Sequence, residues 1–145
     1  MEVNKISLPV AYMIEIVRSH GVSDEEFLVR IESGDVSPWR EFHAEFDFNE
    51  LVALSEKDPA QFRSIILDGY EVKYVSIYGL KNLLKFKLDK LEERDYHLTE
   101  KGITDLKVDD QQLAIIRQFL PANWTIQEIA FENRDHSDKK IKIEL

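Results

Sequence analysis

Apolar side chains recur at three- and four-residue spacing through roughly the first 68 positions, and beyond them stretches of two-residue alternation appear, so the chain reads as helices followed by mixed strands and helices. Leu8, Ala11, Tyr12, Glu15, Ile16 and Val17 outline a first helix, with Ile14 off its face, Pro9 in its first turn and Gly21 as its stop. Ser23 with Glu26 three residues on forms a capping-box signature. The helix it opens carries Phe27, Leu28 and Ile31 on one face and ends at Gly34. Ser37-Pro38 opens a short third helix in which Trp39, Phe42 and Phe46 form one aromatic stripe expected to face the core. Asp47 with Glu50 caps a fourth, bearing Phe48, Leu51, Val52 and Leu54. Asp58-Pro59 starts a fifth, with Phe62, Ile65, Ile66 and Leu67 before Gly69.

After Gly69 the residues Tyr70 to Ile77 are rich in β-branched and aromatic types and predict a strand. Leu80, Leu83, Leu84, Leu88 and Leu91 return to helical spacing, although Leu84 to Leu88 alone also alternates like a strand. Short strands are expected at Tyr96–Thr99 and Thr104–Val108, then a helix capped by Asp109 with Gln112 and stopped by Pro121. The end reads as a hairpin: Trp124 to Asn133, a turn through Arg134 to Asp138, and Lys140 to Leu145 with Ile141, Ile143 and Leu145 on one face. The predicted class is α+β, a helical first half (about 1–68) packed on a small, mainly antiparallel sheet in the second (about 69–145). One domain over 1–145 is expected, with a boundary near Gly69 as the alternative.

A chain of 145 residues should bury roughly 70% of its unfolded surface without a covalent staple. The absence of cysteine removes disulfides, thiolate zinc sites and a cysteine nucleophile. The N-terminus carries Glu2 where a signal peptide needs bases, and no window approaches the roughly 20 apolar residues that span a bilayer, so a cytoplasmic, non-membrane protein is expected. Charge is unevenly placed. Between Ser23 and Asp58 eleven Asp and Glu face three Lys and Arg, a balance of −8 in a chain whose total is −9. Such a surface attracts basic partners, repels polyanions and keeps the chain soluble.

Residue types with catalytic chemistry are present but scattered. His20, His43, His97 and His136 are each isolated, and the adjacent pairs Glu25-Glu26 and Glu92-Glu93 diverge around a helix. No Gly-x-Ser-x-Gly elbow, dinucleotide fingerprint or P-loop can be written, because the five glycines stand alone. The residues imply no cofactor and no metal, and lean away from an enzyme. Lys81, Lys85, Lys87 and Lys90, with Arg94 beyond, are the candidate phosphate contacts. Asp89, Glu92, Glu93 and Asp95 interleave with them, and a solvated face with pairs such as Lys85 and Asp89 accounts for the same pattern.

The stretch Leu84 to Gly102 (Leu-Lys-Phe-Lys-Leu-Asp-Lys-Leu-Glu-Glu-Arg-Asp-Tyr-His-Leu-Thr-Glu-Lys-Gly) resembles the end of a winged-helix DNA-binding domain, where a leucine-bearing recognition helix leads into a wing. It covers about a seventh of the chain. The resemblance implies phosphate contacts from the four lysines. It departs from the family where a strand, Tyr70 to Ile77, replaces the preceding helix, and in its acidic balance.

Three readings follow. The first is a non-catalytic adaptor or regulator that binds another protein through Glu25, Glu26, Glu32, Asp35, Glu41 and Glu45, with nucleic acid disfavoured. The second is a winged-helix-like transcriptional regulator, and the third an enzyme whose carboxylate or histidine site is assembled from residues far apart in sequence.

Overall fold

A computed structural model describes residues 3–43, 45–131 and 139–145, and the chain divides into two compact units, Met1–Lys73 and Tyr74–Leu145. The class is α+β, with helices filling the first unit and a four-stranded antiparallel sheet in the second.

In the first unit β1 (Lys5–Ile6) pairs in parallel with β2 (Glu71–Val72), joining its two ends. The Asn4 side chain reinforces the join by donating to Ser64 Oγ and to the carbonyl of Gly69. Between them run α1 (Leu8–Ser19), α2 (Asp24–Ser33), a 3-10 helix (Ser37–Phe42), α3 (Asn49–Lys57) and α4 (Pro59–Asp68). Two helix starts follow the sequence signals, since Ser23 and Asp58 each accept a backbone N–H of the first turn, and Ser7 does the same before α1; α3 differs, with Phe48 rather than the expected Asp47 in the cap position and no side-chain cap. Gly34 closes α2 in the left-handed region at φ 77°, where a side chain would be strained.

α1 is buried almost all round, since Ala11, Met13, Ile14, Glu15, Ile16 and Val17 are all inaccessible. Ile14, off the expected face, is therefore core, as in any helix that is apolar on every side. Phe27 sits 5.0 Å from Trp39 and 6.2 Å from Phe62 between ring centroids, and Trp39 lies 6.3 Å from Phe48.

The expected aromatic stripe is only partly realised. The turn forms a 3-10 helix with Ser37 inside it and no side-chain cap, and it ends at Phe42, so Phe46 belongs to the following loop. Trp39 is buried at 3% exposure, whereas Phe42 and Phe46 are half-buried. Phe42 stacks on His20 with 4.0 Å between centroids, and Phe46 meets Tyr12 edge-on at 6.1 Å. Three residues per turn cannot keep positions 39, 42 and 46 on one α-helical stripe.

The expected strand Tyr70–Ile77 shrinks to Glu71–Val72. Its partner β1 ends at Ile6, and Ser76 caps the next helix by accepting from Gly79 N–H at 3.0 Å, so Ile77 begins a helix instead of closing the strand. The second unit holds α5 (Ile77–Leu88), β3 (His97–Leu98), β4 (Gly102–Val108), α6 (Asp110–Phe119), β5 (Thr125–Phe131) and β6 (Lys139–Glu144), with strand order β3-β4-β6-β5. Leu80, Leu83 and Leu84 are buried, so helical period wins over alternation in this stretch.

On β4 Ile103 and Leu106 are both buried although three residues apart. The register shifts between them, and Asp105 takes φ 60°, so a bulge restores the inward phase. Ile143 and Ile141 of β6 pair opposite those two residues. The capping box of Asp109 and Gln112 is complete on α6, and the Trp124 indole donates to the Val75 carbonyl at 3.0 Å. The expected turn through Arg134 to Asp138 lies outside the described residues. Among the described residues no helix is long and apolar enough to cross a membrane.

Candidate functional site

The acidic residues named from sequence all stand at the surface of the first unit but do not converge on one point. Glu25 and Glu26 occupy the first turn of α2, Glu32 its last, Glu41 the 3-10 helix, and Glu45 the loop beyond. Among the described residues these five carboxylates are exposed and have no ion pair. Asp35 differs, because its Oδ1 accepts from Ser37 Oγ at 2.6 Å and Ser37 N–H at 3.1 Å. Those bonds, helped by Arg30 and Arg40, hold its carboxyl below the usual value. Asp35 thus shapes its loop.

α2 buries Phe27, Leu28 and Ile31, which leaves Val29 pointing outward at 61% exposure. A recess of about 460 Å³ runs along this side, lined by Ser23, Glu25, Glu26, Val29, Arg30 and Ser33. Arg30 leans toward Asp35, 3.8 Å away, so its cation is partly answered within the chain. The result is an apolar side chain with acids one turn to either side: Glu25 and Glu26 before it, Glu32 after it. Sequence reading passed over Val29 because it lies off the apolar face, and an apolar residue on the polar side of an acidic helix was the available signal.

Among the described residues the one buried acid is Glu15, at 2% exposure. Its Oε2 accepts from the Tyr70 hydroxyl at 2.5 Å and from Arg18 Nη1 at 3.1 Å. Arg18 also donates to Asp24 Oδ1 at 3.1 Å and to the Ile66 carbonyl at 2.6 Å. Burial, and then the neighbouring Glu15 charge, push the Tyr70 hydroxyl well above its ordinary pKa. Every group in this network is answered by another, so its role is to lock α1 to α2, α4 and the start of β2.

The four lysines do not form one basic face. Lys81 and Lys85 lie on the outward side of α5, Lys87 is half-buried about 180° away from Tyr78, and Lys90 follows the helix end. Lys81 Nζ is 2.7 Å from Glu92 and 5.4 Å from the Tyr78 ring centroid, and the bond to Glu92 raises its pKa. The i, i+4 pair of Lys85 with Asp89 does not form. Asp89 turns left-handed at φ 54° to close α5 and meets Arg94 instead, while Lys85 makes no ion pair among the described residues. Asp95 loses solvation, but the Leu91 N–H and Arg94 outweigh that loss and lower its pKa. The segment resembling a winged helix thus runs from α5 through a tightly bonded loop into β3 and β4. β4 is not a free wing, since it continues into the sheet through β6.

His20 stacks on Phe42, His43 lies 4.9 Å from the Phe46 ring, and His97 faces Glu93 at 3.5 Å, while His136 is outside the described residues. Among the described residues no three His, Asp or Glu side chains stand close enough to hold a metal. Comparison with protein-family models, curated proteins and solved structures gives no match.

Proposed function

We propose that this chain is a non-catalytic protein-binding adaptor or regulator whose outward side of α2 receives a basic partner. The observation that carries the reading is Val29, exposed at 61% within a recess bordered by Glu25 and Glu26, with Glu32 one turn on. Covering an exposed valine contributes up to about 1.5 kcal/mol by removing apolar surface from water. Unanswered carboxylates around it steer and orient a basic surface. Glu41 and Glu45 extend the same negative field beyond α2.

The test is quantitative affinity capture from the native cell with three forms of the chain: wild type, Val29→Asp, and the triple variant Glu25→Lys, Glu26→Lys, Glu32→Lys. These positions are exposed, so the fold should persist and circular dichroism should be unchanged. A partner retained by wild type should be lost from the triple variant and weakened by Val29→Asp. Equal recovery by all three forms rejects the α2 surface. Recovery dominated by nucleic acid favours the winged-helix reading.

A further inference from the structure

We infer that α2 of one chain and α5 of a second copy are each other's partner. This rests on reading the α2 side as a binding surface and names what occupies it.

The second surface is the outward side of α5. Tyr78, 75% exposed, and Tyr74, 68% exposed, present more of their surface than any other large apolar side chain among the described residues. Tyr78, Lys81, Asn82 and Lys85 fall on one side of the helix, opposite buried Leu80, Leu83 and Leu84. The twelve residues of α5 include three lysines and no acid, in a chain of net charge −9. Tyrosine beside cations is the composition of an interface anchor, and such a surface calls for an acidic partner with an apolar contact.

α2 supplies that chemistry in mirror form: Val29 as the apolar contact, Glu25, Glu26 and Glu32 as the acids. Laid antiparallel with Val29 against Tyr78, the two helices match over one turn, about 5 Å. Glu25 and Glu26 then come abreast of Lys81, and the long Lys85 side chain reaches them from the next turn. Val29, Tyr74 and Tyr78 are each open to solvent. The contact joins two different surfaces, so two copies that exchange it around a two-fold axis close as a dimer, and copies that do not close continue as a chain. Lys81 is already bound to Glu92 at 2.7 Å, so the association is weak and depends on ionic strength.

Charge exchange tests this on the full chain by sedimentation velocity. Wild type should associate with rising concentration at low salt and dissociate at high salt. Glu25→Lys with Glu26→Lys leaves both surfaces basic, and Lys81→Glu with Lys85→Glu leaves both acidic. Each variant alone should self-associate at least about tenfold more weakly. An equimolar mixture of the two should associate again, because each then offers what the other lacks. Wild type that stays monomeric at millimolar concentration in low salt overturns the inference, as does association that both variants leave unchanged. If wild type is monomeric while Glu25→Lys with Glu26→Lys still loses a foreign protein in capture, the α2 binding surface stands and the second copy is not its partner.

Discussion

Replacing Tyr70 by Phe tests the network that ties the first unit together. The Tyr70 hydroxyl donates to Glu15 Oε2 at 2.5 Å, and Glu15 is only 2% exposed, so no solvent can take the place of the lost donor. A hydrogen bond to a charged group contributes about 1.5–3 kcal/mol net, and leaving a buried acceptor short costs an amount of similar size. The phenyl ring of the variant fills the same space and opens no cavity. Glu15 keeps Arg18 at 3.1 Å, which limits the damage, so a loss of about 2 kcal/mol is expected. Urea unfolding followed by circular dichroism should show a lower midpoint at an unchanged slope. In a Glu15→Gln background the same substitution should cost under about 1 kcal/mol, because the charge it served has gone. A loss below about 0.5 kcal/mol in the wild-type background, with the slope unchanged, would refute the claim that this bond carries stability.

Trp39→Ala should cost about 3–5 kcal/mol, and Phe42→Ala clearly less, because Trp39 is enclosed at 3% exposure while Phe42 is half-buried against His20; the same denaturation assay ranks them. Gly102→Ala should cost more than about 2 kcal/mol, since a Cβ there would run into the Ile143 carbonyl where β4 meets β6; amide exchange should show β4 and β6 losing protection together. Tyr70 is raised well above its ordinary pKa, and burial raises Tyr96 to about 12, with Glu92 and Asp95 adding to it. The folded state therefore holds protons that the unfolded chain releases from about pH 10 upward. This stability is complete below about pH 10 and falls as pH rises through about 12, and Tyr96→Phe should flatten the decline in alkaline denaturation curves. Labelled duplex DNA titrated at about 0.15 M salt should give no specific complex, since Lys81 is held by Glu92 and Lys87 lies on another side of α5; submicromolar, steeply salt-dependent binding abolished by Lys81→Glu with Lys85→Glu would contradict this.

Three helix starts were legible in sequence because a cap is local chemistry: Ser23, Asp58 and Asp109 each accept the first-turn N–H that their spacing implies, whereas Asp47 leaves the cap position of α3 to Phe48. Ser76 uses the same chemistry, but it stands inside a run of β-branched and aromatic residues that reads as one strand, and the cap prevails. The strand at Gly102–Val108 was expected to begin at Thr104, since a bulge at Asp105 breaks the alternation that would have included Ile103. The Tyr70–Glu15 bond spans 55 positions, and no local pattern announces it. Charge polarity was visible in composition, whereas the outward direction of Val29 and Tyr78 depends on which helix faces the core takes.

An NMR titration of the isotope-labelled chain with a captured partner decides whether the outward side of α2 is the surface that binds a protein. The amide signals of Glu25, Glu26, Val29, Arg30 and Glu32 should shift together and saturably, with the shifts diminishing as salt is added. Saturable shifts confined to α5 or to the sheet, with the α2 signals unmoved, would contradict it.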